Sequence, residues 1–396
     1  MDYKKIMEMT MKLLNRTALA VAALLTPVAA TQAAISLQSL SDTEFAFGGY
    51  VKADLMVSNY SEGAPDDNNI SRQFYVPGAI YGDSARGTSV TDFHARETRF
   101  NFAATNDLDG HKLKFFVEMD FLTHADGNER VSNSYSPRLR HAFVSVDNWL
   151  VGQTWTTFQD VGALPEALDF VGAAEGTTFA RQGQIRYTNG GWQFALENPS
   201  STFTDYTTGV RKTSSSDLIP DLIARYNFKT GNSKFMLAAL LRELEYEEDN
   251  MDESTFGWAL SGSGVIPVGS GKDTIKFMAN YGEGAGRYMA LNFVNGAVLG
   301  NGEVEAITTY SGFASYQHWW DEKWRSNITA SALEADYDTS PMVAVNETSY
   351  SGNINLLYSP VKPITVGVEY LYALNERTDG SDADLSRFMF SLKYVL

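Results

Sequence analysis

The sequence predicts an all-β fold: a 16-stranded antiparallel transmembrane β-barrel with short periplasmic turns, long extracellular loops and an inward-folded constriction loop. Three observations predict it. An export leader precedes the main body, apolar and polar residues alternate with period two through 16 segments, and tight and long connections alternate between those segments.

Composition narrows the field first. The chain has 396 residues, 48 acidic and 31 basic side chains, a formal charge of −17 and no cysteine. Without Cys there is no disulfide scaffold, thiolate zinc site, iron–sulfur cluster or cysteine nucleophile. So acidic a chain is a poor partner for a nucleic-acid backbone. Its 44% apolar content excludes disorder. The length admits two or three soluble domains or one large all-β unit.

Residues 1–33 read as a secretory signal peptide. Lys4, Lys5, Lys12 and Arg16 form a positive leader, and an apolar run follows from Ala18 to Leu25 and on to Ala30. Thr31-Gln32-Ala33 then offers a small-residue cleavage site. The apolar core is shorter than the roughly 20 residues that a spanning helix needs. A buried N-terminal core helix is the competing reading, against which stand basic leader, apolar core and cleavage site in their proper order. The leader holds four basic and two acidic side chains, so its removal takes the charge from −17 to −19. Residues 34–42 then form a short periplasmic segment and 43–396 the barrel.

Strands come next. In Lys114–Phe121, the side chains Phe115, Val117, Met119 and Phe121 share one face, with Lys114, Glu118 and Asp120 on the other. The first eight segments run approximately Thr43–Ser58, Ala95–Asn106, His111–Leu122, Arg138–Val146, Trp149–Trp155, Gln182–Thr188, Gly191–Asn198 and Ile219–Phe228. Eight more follow at Ser233–Leu244, Ser254–Pro267, Lys272–Gly282, Glu305–His318, Lys323–Glu334, Thr348–Ser359, Pro363–Leu374 and Leu385–Leu396.

From the second segment onward every other link is tight, as at Asp109-Gly110, Asp147-Asn148, Asn189-Gly190 and Thr230-Gly231-Asn232. The intervening links are long and polar: Asn59–His94, Thr156–Arg181, Pro199–Asp217 and Glu283–Gly302. Tight turns therefore gather at one end and long loops at the other, as in an outer-membrane barrel. A Greek-key sandwich has no reason to sort its links this way.

The membrane assignment rests on the backbone. Unpaired N–H and C=O groups cost several kcal/mol each in hydrocarbon, so only helices or a closed sheet can span it. A 16-stranded closed sheet encloses a lumen too wide for side chains to fill, so water occupies it. The polar faces then look inward and the apolar faces meet lipid. All seven tryptophans, Trp149, Trp155, Trp192, Trp258, Trp319, Trp320 and Trp324, fall near strand ends, where interfacial girdles sit. In a soluble β-protein more of them belong mid-strand.

Parity then assigns the lumen. Outward Phe100 and Phe102 place Glu97, Arg99 and Asn101 inside; outward Leu139 and Phe143 do the same for Arg138 and Arg140. Arg186, Arg225, Arg325 and Arg387 follow by the same rule, together with Lys52 and Lys114. A band of fixed positive charge along a narrow water path favours anions, and guanidinium grips carboxylates bidentately. The opposing reading is that these cations pair with inward Glu97, Glu118, Asp120, Glu197 and Glu369, leaving little net field.

The link at about 156–181 is less polar than the others and carries Asp160, Glu166, Asp169 and Glu175. A semi-apolar loop needs a surface to pack on, and the nearest is the inner wall. Folded inward it narrows the pore and sets its acids against the arginine-bearing wall, creating a transverse field. Packing outside the barrel mouth is the alternative.

Several blocks resemble one family. Arg138-Leu139-Arg140-His141-Ala142-Phe143, Gly152-Gln153-Thr154-Trp155, Pro165-Glu166, Arg181–Tyr187 and Gly282–Tyr288 are similar to segments of the DcaP-like porins. The likeness runs from about Gly49 to the C-terminus. It implies a trimeric outer-membrane porin that takes up small organic anions, dicarboxylates being the associated class, with Arg138, Arg140 and Arg186 as the anion contacts. Two features depart from the pattern: Ala34–Ser41 has no room for a periplasmic coiled coil, and the chain ends in Leu396 where Phe is common.

The sequence therefore predicts a diffusion porin of a Gram-negative outer membrane, in contact with lipid and lipopolysaccharide, passing small anionic solutes and assembling as a homotrimer. It calls for no cofactor, metal, nucleotide or nucleic acid. The rivals are a general or sugar-preferring porin without anion bias, an outer-membrane hydrolase barrel and a purely structural or adhesive barrel. Against the hydrolase, His94, His111, His124, His141 and His318 sit in no nucleophile or metal motif and read as loop or interfacial residues, His141 sharing the lipid-side parity of Phe143. Against the sugar channel, few inward aromatics appear beyond Phe116. The run Asp379–Asp384 reads as a solvated turn or, less simply, as a calcium loop that lacks ligands.

Overall fold

Side chains of a strand point alternately to its two faces, so period-two apolarity becomes a sheet with one greasy and one wet side. The computed structural model describes residues 42–82, 84, 86–123, 132, 134–214, 216–248, 251–300 and 302–396. The expected signal peptide, the segment after it up to residue 41, and His124 lie outside the described residues. The barrel unit comprises Phe45–Leu396.

Its strands are β1 (Thr43–Tyr60), β2 (Thr88–His94), β3 (Arg99–Leu108), β4 (His111–Asp120), β5 (Arg138–Val146), β6 (Trp149–Trp155) and β7 (Arg181–Asn189). They continue as β8 (Trp192–Glu197), β9 (Thr202–Asp205), β10 (Arg211–Thr213), β11 (Asp221–Thr230), β12 (Ser233–Glu248), β13 (Met251–Pro267) and β14 (Thr274–Glu283). The last are β15 (Ala297–Gly300), β16 (Glu303–Ala306), β17 (Thr308–Trp319), β18 (Trp324–Asp336), β19 (Asn346–Tyr358), β20 (Ile364–Arg377) and β21 (Asp382–Val395). Each wall strand pairs antiparallel with the next, and β21 returns to β1 from Tyr50↔Val395 to Tyr60↔Leu385. With β2 and β3 taken as one interrupted wall strand, the closed barrel has 16 strands.

The faces sort as the alternation requires. On β18, Asn327, Thr329 and Ser331 are buried while Ile328 is 56% exposed. On β21, Arg387, Met389 and Ser391 are buried and Phe388, Phe390 and Leu392 stand exposed. That inversion makes sense only if the exposed side meets lipid. Trp149, Trp192, Trp320 and Trp324 are on the exposed side as well. Trp258 instead lies midway along β13, because the β12–β13 hairpin runs on to Tyr246↔Glu253; it stands opposite Glu283, where β14 ends.

Three features depart from the sequence reading. The long link Asn59–His94 ends in β2, paired with β1 from Asp54↔His94 to Tyr60↔Thr88. Its alternation is hard to see because Phe93 is its one large outward side chain. Next, β4 and β5 slip register at Glu118/Met119, so that Glu118 faces His141 while Met119 faces Leu139. This bulge adds a residue and reverses the parity beyond it. Phe143 therefore shares the inner face with Phe116, their rings 5.4 Å apart, and His141 is buried against Thr154 rather than turned to lipid. Lastly, the links after β8 and β14 carry a four-stranded sheet in which β9 and β15 run parallel. Phe203, Leu244, Tyr246, Ala297 and Leu299 pack together there. In the Asp379–Asp384 run, Ser381 donates its N–H and hydroxyl to Asp379 at 3.0 and 2.6 Å, the chemistry of a turn.

The lipid-facing assignment has a direct test. Phe390→Arg, on the outer face of β21, should destabilise the folded barrel in lipid by about 2–4 kcal/mol if the residue lies near the midplane. Unfolding titrations in vesicles measure this, and an unchanged midpoint contradicts the assignment.

Candidate functional site

The inner wall brings the nine expected cations to one surface, but most arrive with partners. The Lys52 ammonium contacts the Glu97 carboxylate, lies 3.4 Å from Asp54 and donates to the Leu168 carbonyl at 2.6 Å. Arg99 stands 3.6 Å from Glu118. Arg138 takes both oxygens of Asp120 at 2.9 and 2.8 Å. Arg140, 1% exposed, bridges Glu118 at 2.8 Å and Asp120 at 2.7 Å. Arg225 lies 3.3 Å from Asp160, and Arg325 donates to Glu166 at 2.7 Å. Arg387 is buried, bonded to Ser58 and Tyr60 at 2.8 and 2.9 Å and 3.8 Å from Asp169.

Two remain. Lys114 faces Thr105 and Ser145, and Arg186 faces Leu150 and Ala195. Neither has an ion pair among the described residues. Seven of the nine cations are thus paired, and Arg140 and Arg387 are buried among their partners.

Residues 156–180 account for much of that sealing. The Glu369 carboxylate of β20 accepts from Leu168 N and Asp169 N at 2.9 and 3.0 Å. Ser263 of β13 bonds Asp160 at 2.7 Å, Lys276 of β14 bonds the Leu164 carbonyl at 2.8 Å, and Asn355 of β19 bonds that of Glu166 at 2.9 Å. Only a segment lying within the barrel meets the inward side chains of so many strands. Gly176 fits against the wall because it lacks a side chain: a Cβ there would sit 2.2 Å from the backbone of Gly312. Its N–H donates to Ser331 and its carbonyl accepts from Asn280 at 2.8 and 2.9 Å.

The four loop acids correct the expected transverse field. Asp160 and Glu166 are spent on Arg225 and Arg325. Asp169 and Glu175 are buried: Asp169 accepts from Tyr75 N at 2.7 Å, and Glu175 from Ser351 at 2.7 Å, with the Tyr75 hydroxyl against it. Among the described residues no free acidic bank faces a free basic one. Burial raises the Glu166 carboxyl's affinity for protons, but Arg325 outweighs it and holds the group below the usual carboxylate range. Burial pushes Glu175 up, its hydroxyl partners offsetting only part.

Positive charge survives on one stretch of wall. Among the described residues, Arg99, Arg138, Arg140 and Arg181 stand around two carboxylates, Glu118 and Asp120. Aromatic rings hold three of them: Arg181 lies 4.5 Å over Trp155 and 5.5 Å over Phe179, Arg140 is 5.4 Å over Phe170, and Arg99 is 5.1 Å over Tyr50. One terminal nitrogen of Arg181 is buried with no hydrogen-bond partner among the described residues. Sequence reasoning left Arg181 at the end of a loop and overlooked Phe170 and Phe179, although aromatics in a polar link signal packing. It also missed Asp221, which gathers Arg242, Arg287 and Tyr288 at 3.4, 3.1 and 2.7 Å. The histidines lie apart: His94 is buried on β2 beside the Gln73 carbonyl, not in a loop, while His111 and His318 lie 2.8 Å from Asp147 and Asp273.

The loop latch yields two predictions. Gly176→Ala should push the loop off β17 and enlarge the unitary conductance; an unchanged value contradicts the packing. A carboxyl with a depressed proton affinity stabilises the fold above the ordinary range, near pH 4.3, and loses that contribution as pH falls through its lowered value. Single-channel records should therefore turn unsteady below about pH 4. Glu166→Gln should show the same unsteadiness at neutral pH.

The comparisons with known proteins fit this geometry. A family model described as DcaP outer membrane protein matches residues 78–396. The crystal structure of the outer membrane channel DcaP of Acinetobacter baumannii superposes with a TM-score of 0.74 at 23% identity, covering 89% of this chain and 97% of that one. An anion-selective porin from Comamonas acidovorans gives 0.55 at 9% identity, covering 89% and 100%. The trimer form of OmpT from Vibrio cholerae gives 0.53 at 11%, covering 89% and 99%. Among curated protein sequences no match is found.

Proposed function

The chain belongs to the DcaP outer membrane protein family, and from that membership together with the charge on its wall we propose that this outer-membrane channel is a passive pore for small hydrophilic solutes with a bias toward organic anions. The family is one of channels, not of hydrolases. One observation carries the bias: among the described residues four guanidinium groups surround two carboxylates, and Arg186 and Lys114 add positive charge without an ion pair on the same wall. A fixed positive band raises the local concentration of anions and repels cations. The two-pronged geometry of guanidinium suits a carboxylate, so dicarboxylates are the solute class proposed.

Supporting the assembly, an outer membrane protein of the same fold is recorded in a trimer form, and the apolar outer belt gives lipid, lipopolysaccharide or neighbouring copies a surface to meet. We therefore propose a homotrimer in a Gram-negative outer membrane, exported through the leader at residues 1–33. The second reading is a general diffusion porin, favoured by the pairing of seven of the nine expected cations.

Reversal potentials across a KCl gradient in a planar bilayer decide between them. The wild type should prefer chloride, and Arg186→Ala with Lys114→Ala should lower that preference; cation preference in the wild type overturns the proposal. Arg140→Ala should act differently. It leaves Glu118 and Asp120 buried with less compensation, which costs about 3–5 kcal/mol of stability. Heat-induced unfolding on gels reads that loss.

A further inference from the structure

Away from the pore wall, the long-loop end of the barrel holds a polar cavity of about 220 Å³. Arg211, Arg377, Asn295, Asn346, Tyr337 and Thr204 contribute to its lining, and none of its lining residues is acidic. Its two guanidinium groups come from separate elements, Arg211 from the loop sheet and Arg377 from the end of β20. Neither has an ion pair among the described residues.

Both groups are held in place. Arg211 donates to Asn295 at 2.7 Å and to the Asn292 carbonyl at 2.8 Å. Asn295 is itself anchored on Thr204 at 2.8 Å. Arg377 lies 3.6 Å over the Tyr81 ring. The floor is stiffened by Asn346, which bonds the Phe293 carbonyl at 3.1 Å and accepts from Asn375 at 2.9 Å. Asp379, on the turn that follows Arg377, accepts from the Ser381 N–H and hydroxyl at 3.0 and 2.6 Å.

Two fixed guanidinium groups in an acid-free concavity are a recognition geometry for anionic oxygen. The volume equals about seven waters at roughly 30 Å³ each, room for a solute of a few non-hydrogen atoms. We propose that this cavity is a docking site for small dianions, which collects them at the mouth before they reach the pore. The ligand chemistry is two anionic oxygen centres on one small molecule, one for each arginine. The proposal rests on the anion-pore reading but is tested apart from it.

Succinate and inorganic phosphate are titrated calorimetrically, at low ionic strength, into detergent-solubilised full-length protein. Succinate should bind the wild type, and Arg211→Ala and Arg377→Ala should each weaken it at least tenfold. Arg211→Lys should retain part of the affinity, which excludes misfolding as the cause. Competition by phosphate marks a site that reads charge alone, and absence of competition marks one that requires separated carboxylates; both agree with a dianion site. No binding of either probe to the wild type, or succinate binding by both alanine variants equal to that of the wild type, overturns it. The KCl reversal potential of Arg211→Ala should match the wild type, so loss of docking is distinguishable from loss of pore bias.

Discussion

Everything here depends on closing the backbone's hydrogen bonds where there is no water. A strand in hydrocarbon must find a neighbour on each side, so the sheet has to return on itself, and β21 pairing with β1 removes the last free edge. Closure at 16 strands has a consequence. The lumen exceeds what wall side chains can fill, and the segment 156–180 enters it, bonded to carboxylates, amides and cations of the surrounding strands. The polar interior is thus both the path for water and the surface on which a loop folds.

Inner-wall charge serves two purposes that compete. A buried ion pair adds little net stability, yet losing one partner is costly because the other is stranded. Lys52, Arg325 and Arg387 fall in that class: they fix the loop and the wall, and their fields are largely cancelled. The proposed anion bias rests on the remainder, the guanidinium excess around Glu118 and Asp120 together with Arg186 and Lys114. Counting inward arginines therefore overstates the field, and subtracting their partners locates it.

Strand number and facing were legible in the sequence because they follow from period-two alternation and from turn chemistry at Asp109-Gly110 and Asn189-Gly190. The short strand Thr88–His94 was not, since a wall segment rich in Thr, Ser and Asp lacks the apolar signal. His141 and Phe143 were assigned to the wrong side for a different reason. A single extra residue at a bulge reverses parity, and nothing local in Arg138–Phe143 announces it. The nine inward cations were read from alternation alone. Their pairing was not legible, because partners such as Arg325 and Glu166 lie 159 residues apart and meet only once the loop has entered the barrel.

One side of each ribbon touches acyl chains while the other borders an aqueous passage. Because the chain has no cysteine, single cysteines at Ile185, Arg186, Tyr187 and Thr188 can each carry a spin label in reconstituted bilayers. Collision with oxygen, which partitions into lipid, should be strong at 185 and 187, and collision with a water-soluble nickel chelate strong at 186 and 188. Equal accessibility at all four positions, or the opposite phase, would contradict the claim.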